Sequence, residues 1–399
     1  MISVLARRGG ASGSTKRAPF VFFALRPREA PAFRDVRKVR TLGIRAAYVG
    51  EFEVRGHPFP EGDVLSQGRE AWDAVFGTVN LGKFFLGFGA VGVCEHAFAE
   101  ALAHLRRRVL FGKPVIEMPH IRAATALAFA QLTAMKLYAY RALDYLQASC
   151  DGDRRYLLWS AVQKARVSTE GVKVLALLSE CVGARGFESE TYFESALRDA
   201  ALIPGLEGST HINFGLASQF IDAYFTGPGS EAPAPGSVSL GQADDGENPY
   251  WMEARDRTAR TVRFAPFLRA YEPLRSVPNV RSFVKQARAF RLFAAGGVAA
   301  LTAGADAGLP VALGRCFSII AYAQLVAENC RAVQVAPSTV SVIFHGLIED
   351  LSAEALRLAA LFPPGSAPRA LLRRAARVPK TGAADLASVS ELIAARYRT

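Results

Sequence analysis

Three long stretches of this chain, 90–110, 121–146 and 156–182, carry apolar residues at helical spacing and contain no proline. In the first, Val91, Cys94, Phe98, Leu102 and Leu105 share one face, while Glu95, Glu100 and Arg106 lie opposite. That period of about 3.6 residues marks an amphipathic helix. A fourth such stretch, 211–225, follows Gly208, Ser209 and Thr210, whose hydroxyls suit a helix N-terminus. Four helices joined by short connections predict a bundle spanning 66–226, and a mainly α protein. Half of the 399 residues are hydrophobic, which is enough to build a sizeable core.

The flanks read differently. Residues 18–65 hold two compact apolar runs, 20–25 and 46–54, closed by Pro58 and Pro60. This is too little for an independent sheet and predicts a remnant of a β-domain. Residues 1–17 carry Arg7, Arg8, Lys16 and Arg17 without an acid. They are expected to be a disordered leader, with a transit peptide as the alternative. Gly, Pro, Ser and Asp dominate 227–249, which reads as a linker. Helical patterns return over 282–303, 312–332 and 338–361, predicting a helical C-terminal extension over 250–399. A basic segment, 369–380, follows the break at Pro363, Pro364 and Gly365.

Composition narrows the chemistry. The five cysteines are scattered and odd in number, which argues against a disulfide framework or a zinc site and for a reducing compartment. The six histidines are equally dispersed, so no metal centre is expected. No uninterrupted apolar run reaches the roughly 20 residues of a membrane span. The net charge is +12, and 248–399 alone holds 20 Lys/Arg against 10 Asp/Glu. Such a surplus attracts phosphate-bearing partners such as CoA, anionic lipid or nucleic acid.

Three motifs lie in order within the helical region. Arg108, Phe111, Gly112, Lys113 and Pro114 form an R-x-x-F-G-K-P run. Glu180, Gly183, Gly186 and Phe187 form a second. Arg198-Asp199-Ala200, followed by Leu206-Glu207-Gly208-Ser209, forms the third. Upstream, Asn80, Gly82 and Lys83 lie in a V-N-L-G-K-F segment. Order and spacing over 20–226 resemble the C-terminal half of the acyl-CoA dehydrogenases. The helices beyond resemble the additional C-terminal domain of the very-long-chain type.

The resemblance implies a fold and a reaction. The fold is an acyl-CoA dehydrogenase-like four-helix bundle with a β remnant before it and helices after it. The reaction is FAD-dependent α,β-dehydrogenation of a fatty acyl-CoA, with electrons passed to an electron-transfer flavoprotein, in a homodimer or dimer of dimers. A base must take the α proton while the flavin accepts the β hydride, and a carboxylate in an apolar, water-poor pocket is basic enough. The resemblance gives that role to Glu207. It places Arg108, Phe111, Glu180, Gly183 and Ser209 at the flavin, and Asn80, Lys83 and Gly208 at the substrate. Glu180 stands where the family has glutamine, Ala184 where it has glycine, Leu206 where it has tyrosine and Ser209 where it has threonine.

The family's N-terminal helical domain and the start of its β-domain would precede Pro19. The expectation is therefore a truncated form, inactive alone, in a bacterial cytoplasm or, alternatively, a mitochondrial matrix. A different reading is a non-catalytic module of the same fold that keeps the bundle for dimerisation. Its basic helix, with Leu371 and Leu372 among Arg373, Arg374 and Arg377, would dock on an anionic membrane or on nucleic acid.

Overall fold

The computed structural model of the chain describes residues 1–9, 18–227, 229, 235–236, 261–297, 301 and 308–397. Strands open it: β1 (Ile2–Arg7), β2 (Phe20–Leu25), β3 (Phe33–Lys38), β4 (Gly50–Val54) and β5 (Val64–Gln67). β2 pairs antiparallel with β1 and β5 in one sheet, and β3 with β4 in another. Ile2–Arg7 was expected in a disordered leader, yet it alternates against β2 from Ile2 opposite Leu25 to Arg7 opposite Phe20. Its apolar residues Ile2, Val4, Leu5 and Ala6 supply the strand, and Arg7 lies over the Phe20 ring.

The long helices follow: α1 (Gly68–Arg107), α2 (Pro119–Gln147), α3 (Tyr156–Val162) and α4 (Ser168–Val182). A two-strand hairpin, β6 (Val109–Leu110) and β7 (Lys113–Pro114), links α1 to α2. Between α3 and α4 the helix widens into one π turn, Gln163–Val167. α1 begins at Gly68, near the expected start of the bundle at 66, and runs through the V-N-L-G-K-F segment to Arg107. The expected fourth helix is broken into α6 (Thr210–Ser218) and α7 (Ile221–Phe225), after the short α5 (Tyr192–Ala200).

The extension contributes α8 (Pro278–Ala294), α9 (Gly308–Ala332), α10 (Pro337–Ala359), α11 (Ala367–Ala375) and α12 (Ala383–Arg396). Most of the expected linker, 228, 230–234 and 237–249, lies outside the described residues. So does 250–260.

A single hydrophobic cluster runs through both helical regions, joining Phe98, Met135, Tyr138 and Trp159 to Phe283, Phe317, Tyr322 and Phe344. Tyr138 of α2 stacks on Tyr322 of α9 with ring centroids 4.8 Å apart. Two buried ion networks cross the same seam. Arg141 pairs with Asp144 at 2.8 Å and with Glu328 at 2.9 Å. Arg166 pairs with Glu170 at 2.8 Å and with Asp350, and Lys173 bridges the same two acids at 3.0 and 3.1 Å.

By length and composition α1 and α9 are each apolar enough to cross a membrane, although 78% of the α9 window is buried inside the fold. Close helix contact explains why. At Gly314 of α9, a Cβ would overlap the backbone carbonyl of Phe214 on α6. Gly314→Ala is therefore expected to push α6 and α9 apart at a cost of about 1–3 kcal/mol. Urea unfolding checks this as a lower midpoint at unchanged slope.

Candidate functional site

The loop before α6 is held in an unusual backbone shape. Glu207 (φ 49°) and Gly208 (φ 83°) are consecutive left-handed residues. That region is unfavourable for a side-chain-bearing residue such as glutamate, so surrounding contacts must hold it. They are present. The buried Asn213 side chain donates to the carbonyls of Gly208 at 3.0 Å and Ser209 at 3.1 Å. Thr210 Oγ1 donates to the Pro204 carbonyl at 3.2 Å. Ser209 Oγ accepts the Ile212 N–H at 3.4 Å and so caps α6.

This loop lays the Glu207 side chain across α1 at Gly82, where an added Cβ would lie 2.9 Å from Oε1 and 3.0 Å from Cδ. The next residue, Lys83, is buried, and its Nζ donates to Asn80 Oδ1 at 3.2 Å. Asn80, Lys83, Glu207, Gly208 and Ser209 thus gather at one end of the bundle. The dry pocket expected around Glu207 is not formed by the described residues. Glu207 and Gly208 are exposed and Leu206 is 40% exposed.

Sequence reasoning missed Lys164. It lies in the π turn, is 0% exposed, and its Nζ has no hydrogen-bond partner. Burial and then the nearby Lys83 ammonium pull this amine down to about 8, with the Glu207 carboxylate opposing. The available signal was a lysine beside Gln163 and Arg166 in the mainly apolar run 156–167. Its neighbour Gln163 lies in a notch at Gly87, where a Cβ would collide with the amide.

The other candidates sit elsewhere. Arg108 follows α1, its Nη1 donating to the Val182 carbonyl at 3.3 Å and lying over Gly183. Gly183 closes α4 at φ 76°, and Glu180 is exposed one turn earlier. Phe111 (φ 52°) and Gly112 (φ 77°) make a two-residue left-handed turn that leaves Phe111 94% exposed. Burial and then Arg108, Arg185 and Arg107 lower the affinity of His104 for a proton, a mark of concentrated positive charge. That end suits a phosphate.

The structure does not join the two groups within one chain. Gly82 and Arg108 are 26 residues apart along α1, roughly 39 Å at 1.5 Å per residue. The Arg198-Asp199 motif has a different task. Arg198 is held by Glu194 at 2.9 Å, and Asp199 accepts the Ile44 N–H at 2.7 Å, tying the strand region to α5.

Residues 70–221 match the family described as acyl-CoA dehydrogenase, C-terminal domain. A cyclohex-1-ene-1-carbonyl-CoA dehydrogenase of Geobacter metallireducens is 23% identical over 176 residues, 44% of this chain and 46% of that protein. The mitochondrial short/branched chain specific acyl-CoA dehydrogenase of Rattus norvegicus is 22% identical over 198 residues, 50% of this chain and 45% of that one. The chain spans about half the length of these curated relatives. An acyl-CoA dehydrogenase from Bacillus anthracis, solved with FAD, shares the fold over 95% of this chain and 65% of its own, at TM-score 0.69 and 16% identity. That likeness includes the helices of the extension. Motif order, helix order and these matches agree that the 70–221 segment is similar to the C-terminal domain of the acyl-CoA dehydrogenases.

Proposed function

We propose that this chain supplies the base of an α,β-dehydrogenation of an acyl-CoA thioester, with Glu207 taking the α proton. The observation that carries the reading is the placement of Glu207 over Gly82, beside Lys83 and Asn80, on a loop that Asn213 clamps in a left-handed shape. A carboxylate whose backbone is fixed and whose side chain rests on a glycine notch has little freedom to leave its station. General bases gain from such positioning.

FAD, when bound, would supply the hydride acceptor for the β position. The cationic end fits its phosphates: Arg108 would hold them, with Arg107 and Arg185 adding charge. Gly183 there leaves backbone open, and Phe111 offers an exposed aromatic face. Ser209 and Gly208 would meet the cofactor and substrate at the Glu207 end. Since roughly 39 Å of α1 separates the ends, a cofactor using both sets would join two copies of the chain. A homodimer or dimer of dimers follows from this reading, with an electron-transfer flavoprotein as acceptor.

The test is to supply the purified chain with FAD, a saturated acyl-CoA and an artificial electron acceptor. Flavin retention with turnover supports the reading. Neither retention nor turnover would favour a second one, which the exposure of Glu207 also supports. There the bundle serves as a binding module, and the exposed Arg373 and Arg374 of α11 meet an anionic surface. Salt-sensitive retention on anionic vesicles would then be seen.

A further inference from the structure

We propose that the cavity between α2, the α9–α10 turn and the end of α12 binds an aliphatic carboxylate, with Arg396 and the first turn of α10 receiving its head. The cavity shares no residue with the Glu207 loop or the Arg108 end, so its occupancy is separate from the dehydrogenation proposed above.

The space measures about 700 Å³, within the range that small-molecule sites occupy. Phe129, Leu132 and Leu137 of α2 line it and are buried, and Leu392 of α12 and Val333 of the turn line it half-buried. Two aromatic side chains in the lining are braced from behind. Tyr140 meets the edge of Phe88 with centroids 5.3 Å apart, and Tyr397 lies 5.4 Å from Phe98. Walls held in this way are already shaped, and a ligand need not order them.

The lining also has a sign. Its charged residues are Lys136 and Arg396, and no acid lines it among the described residues. Lys136 is engaged by Glu95 of α1. Arg396 is exposed and has no carboxylate partner among the described residues. The start of α10 points the same way. Ala336 precedes the helix without a capping side chain, Pro337 has no N–H, and the first turn carries no acid. An uncapped start leaves N–H groups and the positive end of the helix dipole to an anion.

A separate observation singles out this helix start as a ligand site. Thr339 lines the cavity, is 1% exposed, and its Oγ1 has no hydrogen-bond partner among the described residues. A buried hydroxyl without a partner is costly, and a carboxylate oxygen at the first turn of α10 would accept from it. Gln334 adds an amide to the same lining. It closes α9 at φ 52°, a position where helices usually place glycine. One available guanidinium and one helix start suit a single negative charge. The apolar remainder of the lining suits a hydrocarbon tail rather than a sugar or a base.

The experiment is calorimetric titration of the full chain with decanoate, below the concentration at which it forms micelles. Decanol carries the same tail on a neutral head. Decanoate is expected to bind saturably at one site, and decanol at least about fivefold more weakly. Arg396 is exposed, so Arg396→Gln should leave the fold intact. It should weaken decanoate about five- to tenfold and leave decanol unchanged. Thr339→Val should also weaken decanoate without lowering the thermal midpoint, because the hydroxyl it removes supports nothing in the fold. Lys285→Gln, exposed on α8, is the control and should change neither ligand. Equal affinities for decanoate and decanol, or decanoate binding unmoved by Arg396→Gln, would overturn the proposal. So would the absence of saturable binding. Glu207→Gln should leave decanoate binding unchanged, and a loss there would place the carboxylate at the other site and overturn the proposal as well. The readout needs neither flavin nor turnover, so failure of the dehydrogenation reading leaves this test standing, and the reverse.

Discussion

Glu207→Gln should slow exchange of the α hydrogen of a saturated acyl-CoA with solvent deuterium by about 10²–10⁴-fold in the chain supplied with FAD. Exchange isolates proton abstraction from the redox step, so it reads the base directly. The amide keeps the size and shape of the side chain but cannot take the proton. Its position over Gly82 and its solvent exposure mean that little else should change. Unchanged melting behaviour would establish that the loss is chemical. Glu391→Gln, exposed on α12 and outside the proposed site, is the matched control and should retain exchange. Equal rates in wild type and Glu207→Gln, or no exchange in either, would remove Glu207 from this role.

The largest effect on stability is expected at Arg166. This buried guanidinium pairs with Glu170 beside it and with Asp350 of α10. Arg166→Ala would leave two acids with Lys173 alone, and Lys173 is half exposed. Breaking a buried pair from one side costs about 3–5 kcal/mol. Equilibrium denaturation measures it, and a loss below about 1 kcal/mol would mean that the network is ornamental.

The same network makes an acid prediction. Arg166 and Lys173 outweigh burial and hold the Asp350 carboxyl down to about 2, against an ordinary 3.8. A depressed carboxyl contributes stability that is complete above its unfolded value. Its contribution, about 2 kcal/mol, should therefore be lost as pH falls from about 4 towards 2. Asp350→Asn should flatten that part of the profile.

Much of this organisation was legible before any coordinates. Helical periodicity located α2 and α4 because each keeps a polar stripe beside its buried one. It failed for Ile2–Arg7 because a six-residue strand amid basic residues has no signature apart from its partner, Phe20–Leu25. At the site, motif order singled out Glu207, Lys83 and Asn80, which the fold gathers at one end. Asn213 acts through contacts with a loop that its own local sequence pattern does not announce. The expected dry pocket was an inference from the reaction's needs, and the exposure of Glu207 among the described residues does not meet it.

One consequence concerns divisibility. The core is continuous from α2 and α6 into α9 and α10, through Tyr138 against Tyr322 and Phe214 against Gly314. A scissor cut near residue 227 would not yield two modules. It would expose two halves of one interior, each sticky and neither able to refold alone. Recombination or gene fission at that point should be poorly tolerated, and changes in the two halves should drift in step, as they do within a single inherited unit.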